Sequence, residues 1–167
     1  ITILFEQITI VGPGLLGASL GMAVHANGLA RKISVWARRE ESRNDCRQAD
    51  WCETVSEDLS ESLDGSALAI LCTPVAHLSE LLENISDYIP DDCLITDVGS
   101  TKEAICQTAD KANLVNFVGS HPIAGSEQTG MKHSRAKLFV GRPCFITPSE
   151  QTNPSNAQKI SEFWEAL

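Results

Sequence analysis

No apolar run in this sequence approaches the roughly 20 residues that a helix needs to cross a bilayer, which excludes a membrane-spanning helix. Positive charge is also in short supply. Thirteen Lys and Arg face twenty-two Asp and Glu, a formal net charge of −9, and the basic residues form no cluster. That balance argues against nucleic acid and anionic membrane as partners, because holding a row of phosphates takes many cations. C-x-x-C pairs are absent, and the six cysteines, at 46, 52, 72, 93, 106 and 144, share no tetrahedral metal-site spacing with histidine. Reduced core thiols are expected, and no metal. With no signal peptide, internal repeat or low-complexity segment in view, the expected compartment is the cytoplasm.

What the sequence does have is a globular composition, 43% hydrophobic against 21% charged, over 167 residues that suffice for a continuous core. Short β-branched runs at 7–11, 32–37, 67–72, 93–98, 115–119 and 144–147 read as strands buried on both faces. Helical patterns lie between them at 15–27, 41–49, 75–88, 102–111 and 129–138. Asn27-Gly28 stops the first helix, and Pro74 and Pro90 bracket the helix after the third strand. The alternation predicts an α/β fold, a doubly wound, mostly parallel Rossmann-type sheet with helices on both faces. On this reading residues 1–150 are one nucleotide-binding domain, and 151–167 are a linker and the start of a following helical domain. Because the sequence begins at Ile1 and stops at Leu167 within a helical pattern, a longer parent polypeptide is expected.

Directly after the first strand stands Gly12-Pro13-Gly14-Leu15-Leu16-Gly17, a G-x-G-x-x-G string in a strand-to-helix context. Gly12 permits a tight turn, Gly14 lets backbone approach a diphosphate, and Gly17 lets the helix lie close to the strand. Backbone from Gly12 and Gly14 through Leu15, Leu16 and Gly17 then cradles the diphosphate at the positive helix end. About 20 residues further, where NAD sites place an acid on the ribose hydroxyls, this sequence has Ala37, followed by Arg38 and Arg39. A guanidinium suits a 2′-phosphate, so NADP is the expected cofactor. NAD stays open if Glu40 or Glu41 reaches the ribose instead. At the third strand's end, Thr73 and Pro74 are expected to border the nicotinamide ribose, Pro74 serving equally as a helix-start residue.

The fourth strand ends in Asp97-Val98-Gly99-Ser100-Thr101-Lys102, and the fifth leads into Ser120-His121-Pro122-Ile123-Ala124-Gly125-Ser126-Glu127. Both ends belong on the sheet edge of the glycine loop, so Ser100, Lys102, His121 and Glu127 are expected to converge near the nicotinamide. The stretches GPGLLGASLGMA (12–23), DVGSTK (97–102), VGSHPIAGSEQTG (118–130) and LFVGRPCFITP (138–148) resemble the prephenate and arogenate dehydrogenases of tyrosine biosynthesis, in order and spacing, over nearly the whole chain. The resemblance implies that His121 contacts the substrate's ring hydroxyl, that Ser100 hydrogen-bonds in the same site, and that Glu127 helps control access. Ser126 and Gln128 are further candidates for substrate contact. It also implies a mostly helical second domain, outside these residues, with a substrate-binding arginine and much of a homodimer interface.

The implied reaction is an oxidative decarboxylation of a small anionic cyclohexadiene, with hydride transfer to the nicotinamide and aromatisation as driving force. A neutral His121 is suited to accept the hydroxyl proton, and no metal is required because the cofactor is the electron sink. Ser100 either orients His121 or bonds the hydroxyl, and also suits a helix N-cap with Glu103 completing a capping box. Lys102 meets an anion or stands in solvent. From Ser120 to Pro148, Lys132, Arg135, Lys137 and Arg142 face Glu127 alone, which reads as a cationic wall or as a solvated helix face. Two other functions fit the glycine loop: an NADP-dependent dehydrogenase of the β-hydroxyacid or imine reductase type, and a non-catalytic nucleotide-binding module.

Overall fold

The computed structural model describes residues 2–167. Its strands are β1 (Phe5–Val11), β2 (Ala30–Trp36), β3 (Thr54–Ser56), β4 (Leu68–Leu71), β5 (Leu94–Asp97), β6 (Phe117–Pro122) and β7 (Cys144–Thr147). Its helices are α1 (Leu15–Asn27), α2 (Glu40–Arg47), α3 (Leu59–Leu63), α4 (Val75–Ile85), α5 (Glu103–Lys111) and α6 (Pro154–Glu165). The strands form one sheet in the order β3-β2-β1-β4-β5-β6-β7, parallel except for β7. The chain winds outward from β1 to β3, then returns to the other side of β1 and winds through β4 to β7. Winding reverses between β1 and β4, the switch point at which such sheets open a ligand crevice.

Side-chain alternation divides the core between the two faces of the sheet. Ile8, Ile10, Leu68 and Ile70 pack with Leu20 and Val24 of α1 and with Ile160 and Phe163 of α6. Val11, Ala69, Leu71 and Ile95 pack with Leu78 and Leu82 of α4 and Ile105 of α5 on the other face. The stretch 151–167, read from the sequence as leading to a following domain, thus carries a helix whose apolar face is buried in this core. Phe163 stands edge-on to Phe5, with ring centroids 6.1 Å apart.

Three sequence expectations need correction. The strand expected at 115–119 runs from Phe117 to Pro122, because antiparallel β7 gives Gly119 through Pro122 backbone partners in Thr147 through Cys144. As an edge strand β7 is not buried on both faces; Phe145 is 61% exposed. The helix expected at 129–138 is a 3-10 turn at Met131–His133 followed by irregular chain. Gly130 at φ +89° and extended Ser134 break the helical path, and the Arg135 N–H is taken by the Ser19 hydroxyl of α1 at 2.9 Å. Also missed were β3 and α3, the latter opened by Asp58, whose carboxylate accepts from the Glu61 N–H at 3.1 Å.

Gly21 of α1 lies flat against the buried Trp51 ring, and a Cβ built there would stand 2.2 Å from Trp51 Cε3. Gly21→Ala is therefore expected to cost about 1–3 kcal/mol of stability, the usual range for overpacking a closed core. Urea denaturation checks this, and an unchanged midpoint would mean that Trp51 swings aside freely.

Candidate active site

The glycine loop occupies the switch point, and its three glycines face different constraints. Gly12 turns at φ +99°, and a Cβ there would press on Thr73 Cγ2 at 3.1 Å, so loop and β4 end are in contact. At Gly17 a Cβ would sit 2.2 Å from the Gly12 carbonyl oxygen, which leaves no room for a side chain between α1 and the loop. A Cβ on Gly14, by contrast, would have no neighbour within 4 Å. Gly14 caps α1 without a side-chain hydrogen bond, and no acid lies in the first turn, so the positive end of α1 is left for an external anion. Among the described residues Thr73 Oγ1 is buried without a hydrogen-bond partner, and such a group calls for one. Open space at Gly14, a free helix end and an unsatisfied hydroxyl fit a dinucleotide with its diphosphate over Leu15 and Leu16. Pro74 takes the N-cap position of α4.

At the end of β2, Ala37 is buried while Arg38 and Arg39 are exposed. Neither guanidinium engages an acid among the described residues. The turn that carries them is held by Arg43, which the sequence reading passed over. Its Nη1 donates to the carbonyls of Ala37 (2.9 Å) and Arg38 (2.7 Å), and its Nη2 pairs with Glu57 at 3.1 Å. Glu40 and Glu41 lie in the exposed first turn of α2.

Between β5 and β6 the organising group is Asp97, which has no exposed surface. Its Oδ2 pairs with Lys102 Nζ and accepts the Gly99 N–H at 2.9 Å; its Oδ1 accepts the Ser120 N–H at 3.1 Å. Burial raises the Asp97 pKa above the usual carboxylate range, and Lys102 and the backbone donors oppose that shift. Lys102 is thus neither loose in solvent nor an available anion ligand, because its charge is committed to Asp97. Ser100 is exposed and does not cap α5; Lys102 holds that N-cap position, without a side-chain cap bond. The Gly99 to Asp97 hydrogen bond sets the path of this loop before the helix begins. Two thiols nearby, Cys72 and Cys144, are held protonated by burial, Cys144 pushed up to about 12.

His121 is on β6, opposite Phe145 of β7, with ring centroids 6.5 Å apart. Its predecessor Ser120 is buried: the hydroxyl lies 2.6 Å from Thr96 Oγ1 and accepts from Trp164 Nε1 of α6 at 3.0 Å. Half-buried His121 opens into a cavity of about 350 Å³ together with Ile123, Ala124, Arg135, Leu138 and Arg142. Of the four cations noted in the sequence, then, two reach this cavity. Parallel pairing of β1, β4, β5 and β6 brings Gly14, Thr73, Ser100 and His121 to one edge of the sheet. Among the described residues Ser100 and His121 share no hydrogen bond. Glu127 is exposed and outside the cavity lining, and Ser126 and Gln128 are bonded to each other, the Gln128 N–H donating to Ser126 Oγ at 3.0 Å.

Comparison with known proteins identifies a family. The family model described as prephenate dehydrogenase, nucleotide-binding domain, matches residues 20–167. A cyclohexadienyl dehydrogenase of Zymomonas mobilis is 30% identical over 165 residues, covering 98% of this chain and 56% of its own. A prephenate dehydrogenase of Bacillus subtilis is 27% identical, covering 93% of this chain and 43% of its own. The chain therefore spans about half the length of the curated relatives it matches. Among solved structures, prephenate dehydrogenase from A. aeolicus in complex with hydroxyphenyl propionate and NAD+ superposes with a TM-score of 0.91 at 26% identity, over 96% of this chain and 57% of that one. Arogenate dehydrogenase of Synechocystis superposes with a TM-score of 0.88 at 29% identity, over 95% and 56%.

The Asp97–Lys102 pair yields a stability test. Lys102→Met leaves a buried carboxylate without its cation and is expected to destabilise the protein by about 3–5 kcal/mol near neutral pH. Protonated Asp97 needs no counter-charge, so the deficit shrinks as the pH falls through the raised Asp97 pKa. Denaturation of wild type and variant across pH measures it, and a deficit independent of pH would mean that the pair is not what holds the loop.

Proposed function

This chain belongs to the prephenate dehydrogenase family, as a nucleotide-binding domain, and from that premise we propose that the complete gene product oxidatively decarboxylates prephenate or arogenate in tyrosine biosynthesis, with NADP preferred over NAD. The observation that carries the proposal is His121 on a fixed strand, opening into a cationic cavity on the sheet edge of the glycine loop.

A bound dinucleotide would supply the hydride acceptor. The loop from Gly12 to Gly17 and the start of α1 would hold its diphosphate, Thr73 Oγ1 would be available to it as a hydrogen-bonding group, and Arg38 and Arg39 would take the 2′-phosphate. As hydride leaves C4 of the substrate, His121 accepts the proton of the C4 hydroxyl, so carbonyl character develops without a localised positive charge. The bond from C1 to its carboxylate then breaks; the electron pair aromatises the ring, carbon dioxide departs, and the proton on His121 returns to the phenolic oxygen. Ser100 orients the hydroxyl or the imidazole, while Glu127, Ser126 and Gln128 border the entry to the site. A homodimer formed through residues outside this chain completes the reading.

Steady-state assays crossing both substrates with both cofactors test the proposal on the complete gene product. His121→Asn is expected to lower kcat by about 10²- to 10⁴-fold, the usual worth of a positioned general base, with NADP affinity unchanged. Turnover of neither cyclohexadiene by the wild type would sink it. The cofactor assignment is separable: Arg38→Ala is expected to weaken NADP about tenfold or more while sparing NAD, and equal losses for both would reject the arginine's role.

A further inference from the structure

We propose that Arg135 and Arg142 form a carboxylate clamp, contributed by this domain, that holds the side-chain carboxylate of the aromatic or pre-aromatic ligand bound at His121. This inference rests on the functional reading above for the ligand's class, and on geometry for the clamp. Both arginines line the His121 cavity, and both are free of acidic partners: the ion pairs among the described residues are Arg31–Glu6, Arg43–Glu57 and Lys102–Asp97. Two guanidinium groups on one cavity make it locally positive within a chain of net charge −9, which favours an anion there.

Their backbones are anchored although their side chains are exposed. The Arg135 N–H donates to the buried Ser19 hydroxyl of α1 at 2.9 Å, which couples this residue to the helix that carries the glycine loop. The Arg142 N–H donates to the Phe139 carbonyl at 3.0 Å, and the Ile123 N–H donates to the Pro143 carbonyl at 2.8 Å. That last bond extends the β6–β7 register by one residue beyond Pro122 and Cys144, so Arg142 stands across from Ala124, three residues past His121. Leu138 and Ile123 add apolar lining to the same cavity. The cavity therefore offers an imidazole, apolar surface for a ring and two guanidinium groups, which suits a ring with a hydroxyl and a side-chain carboxylate.

Catalysis decides which carboxylate the clamp takes. The ring carboxylate leaves as neutral carbon dioxide, so cations holding it would stabilise the ground state more than the transition state. The side-chain carboxylate keeps its charge throughout, in the keto and the amino substrate alike. Binding it lowers KM and leaves kcat alone.

The test uses the complete gene product saturated with NADP and two probes, 3-(4-hydroxyphenyl)propionate and 4-ethylphenol, which share the phenol and differ in the carboxylate. By calorimetry the Arg135→Gln/Arg142→Gln variant is expected to bind the propionate about tenfold or more weakly and ethylphenol within about twofold of wild type. Lys132→Gln/Lys137→Gln removes two cations of the same segment that do not line the cavity, and is expected to change neither. In turnover assays the arginine variant raises KM for prephenate or arogenate with kcat within about threefold and KM for NADP unchanged. Unaltered propionate binding, an equal loss in the lysine variant, a wild type that does not bind the propionate, or a fall in kcat rather than a rise in KM would overturn the clamp. The two proposals fail separately. A wild type without turnover whose propionate binding still depends on the arginines loses the reaction and keeps the clamp, whereas full turnover with silent arginines does the reverse.

Discussion

A carboxylate sealed from solvent organises the sheet edge where β5 and β6 end. Asp97 collects Lys102, the Gly99 amide and the Ser120 amide, and so ties the end of β5, the loop after it and β6 to one point. Taking two charges out of water costs several kcal/mol per ion, and only close geometry with further hydrogen bonds recovers it. Such a pair is a poor way to gain stability and a good way to fix position. Ser120 is held by its amide on one side and, through its hydroxyl, by Thr96 and Trp164 on the other. The next residue is His121. Its backbone is thus set by buried groups from β5 and α6.

The glycine loop obeys a complementary logic, in which empty space is the built feature. Gly17 and Gly12 are glycine because backbone and Thr73 crowd them, while Gly14 is glycine with nothing near it. Only an incoming molecule gives that absence of a side chain a purpose. Charge follows the same division. Among the described residues Arg38, Arg39, Arg135 and Arg142 have no acidic partners and lie on segments that follow strand ends or line the His121 cavity, whereas Asp58, Glu61, Asp64 and Asp87 share a separate cavity of about 520 Å³. An acidic protein can thereby draw an anion to one region and repel it from another, since local potential rather than net charge steers a small ligand.

What could be read from the sequence was what is local in it. The bounds of α1 follow from a glycine loop before it and Gly28, at φ +63°, after it, and the structure has the same bounds. The end of β6 was not legible, because its last residues are strand only through pairing with β7 more than 20 residues later. Helical periodicity at 129–138 misled because Leu138 is buried for a tertiary reason, and the Ser19 hydroxyl outbids the helix for the Arg135 amide. Arg43 was invisible for a similar cause. Its i, i+4 and i, i+5 neighbours suggest a surface helix, yet its guanidinium turns back to the carbonyls of residues 37 and 38. For Lys102 the sequence left an anion or solvent open, and the fold supplies the anion by burying Asp97 five residues before it.

Rigid and adaptable parts of the site fall on different kinds of chain. The His121 imidazole sits on a paired strand, while Ser126, Glu127 and Gln128 sit in exposed irregular chain between Gly125 and Gly130, both at positive φ. Transfer of a hydride and a proton in one geometry tolerates little displacement, because misplacement by an ångström can cost a hundredfold in rate. Recognition of a substituent far from the reacting carbon has no such demand. A loop that turns on glycines and spends its polar groups on one another, as Ser126 and Gln128 do, adapts to a ligand at small cost. A paired strand thus fixes the imidazole of His121, and an irregular segment flanked by glycines carries Ser126, Glu127 and Gln128, so the two demands fall on separate pieces of chain.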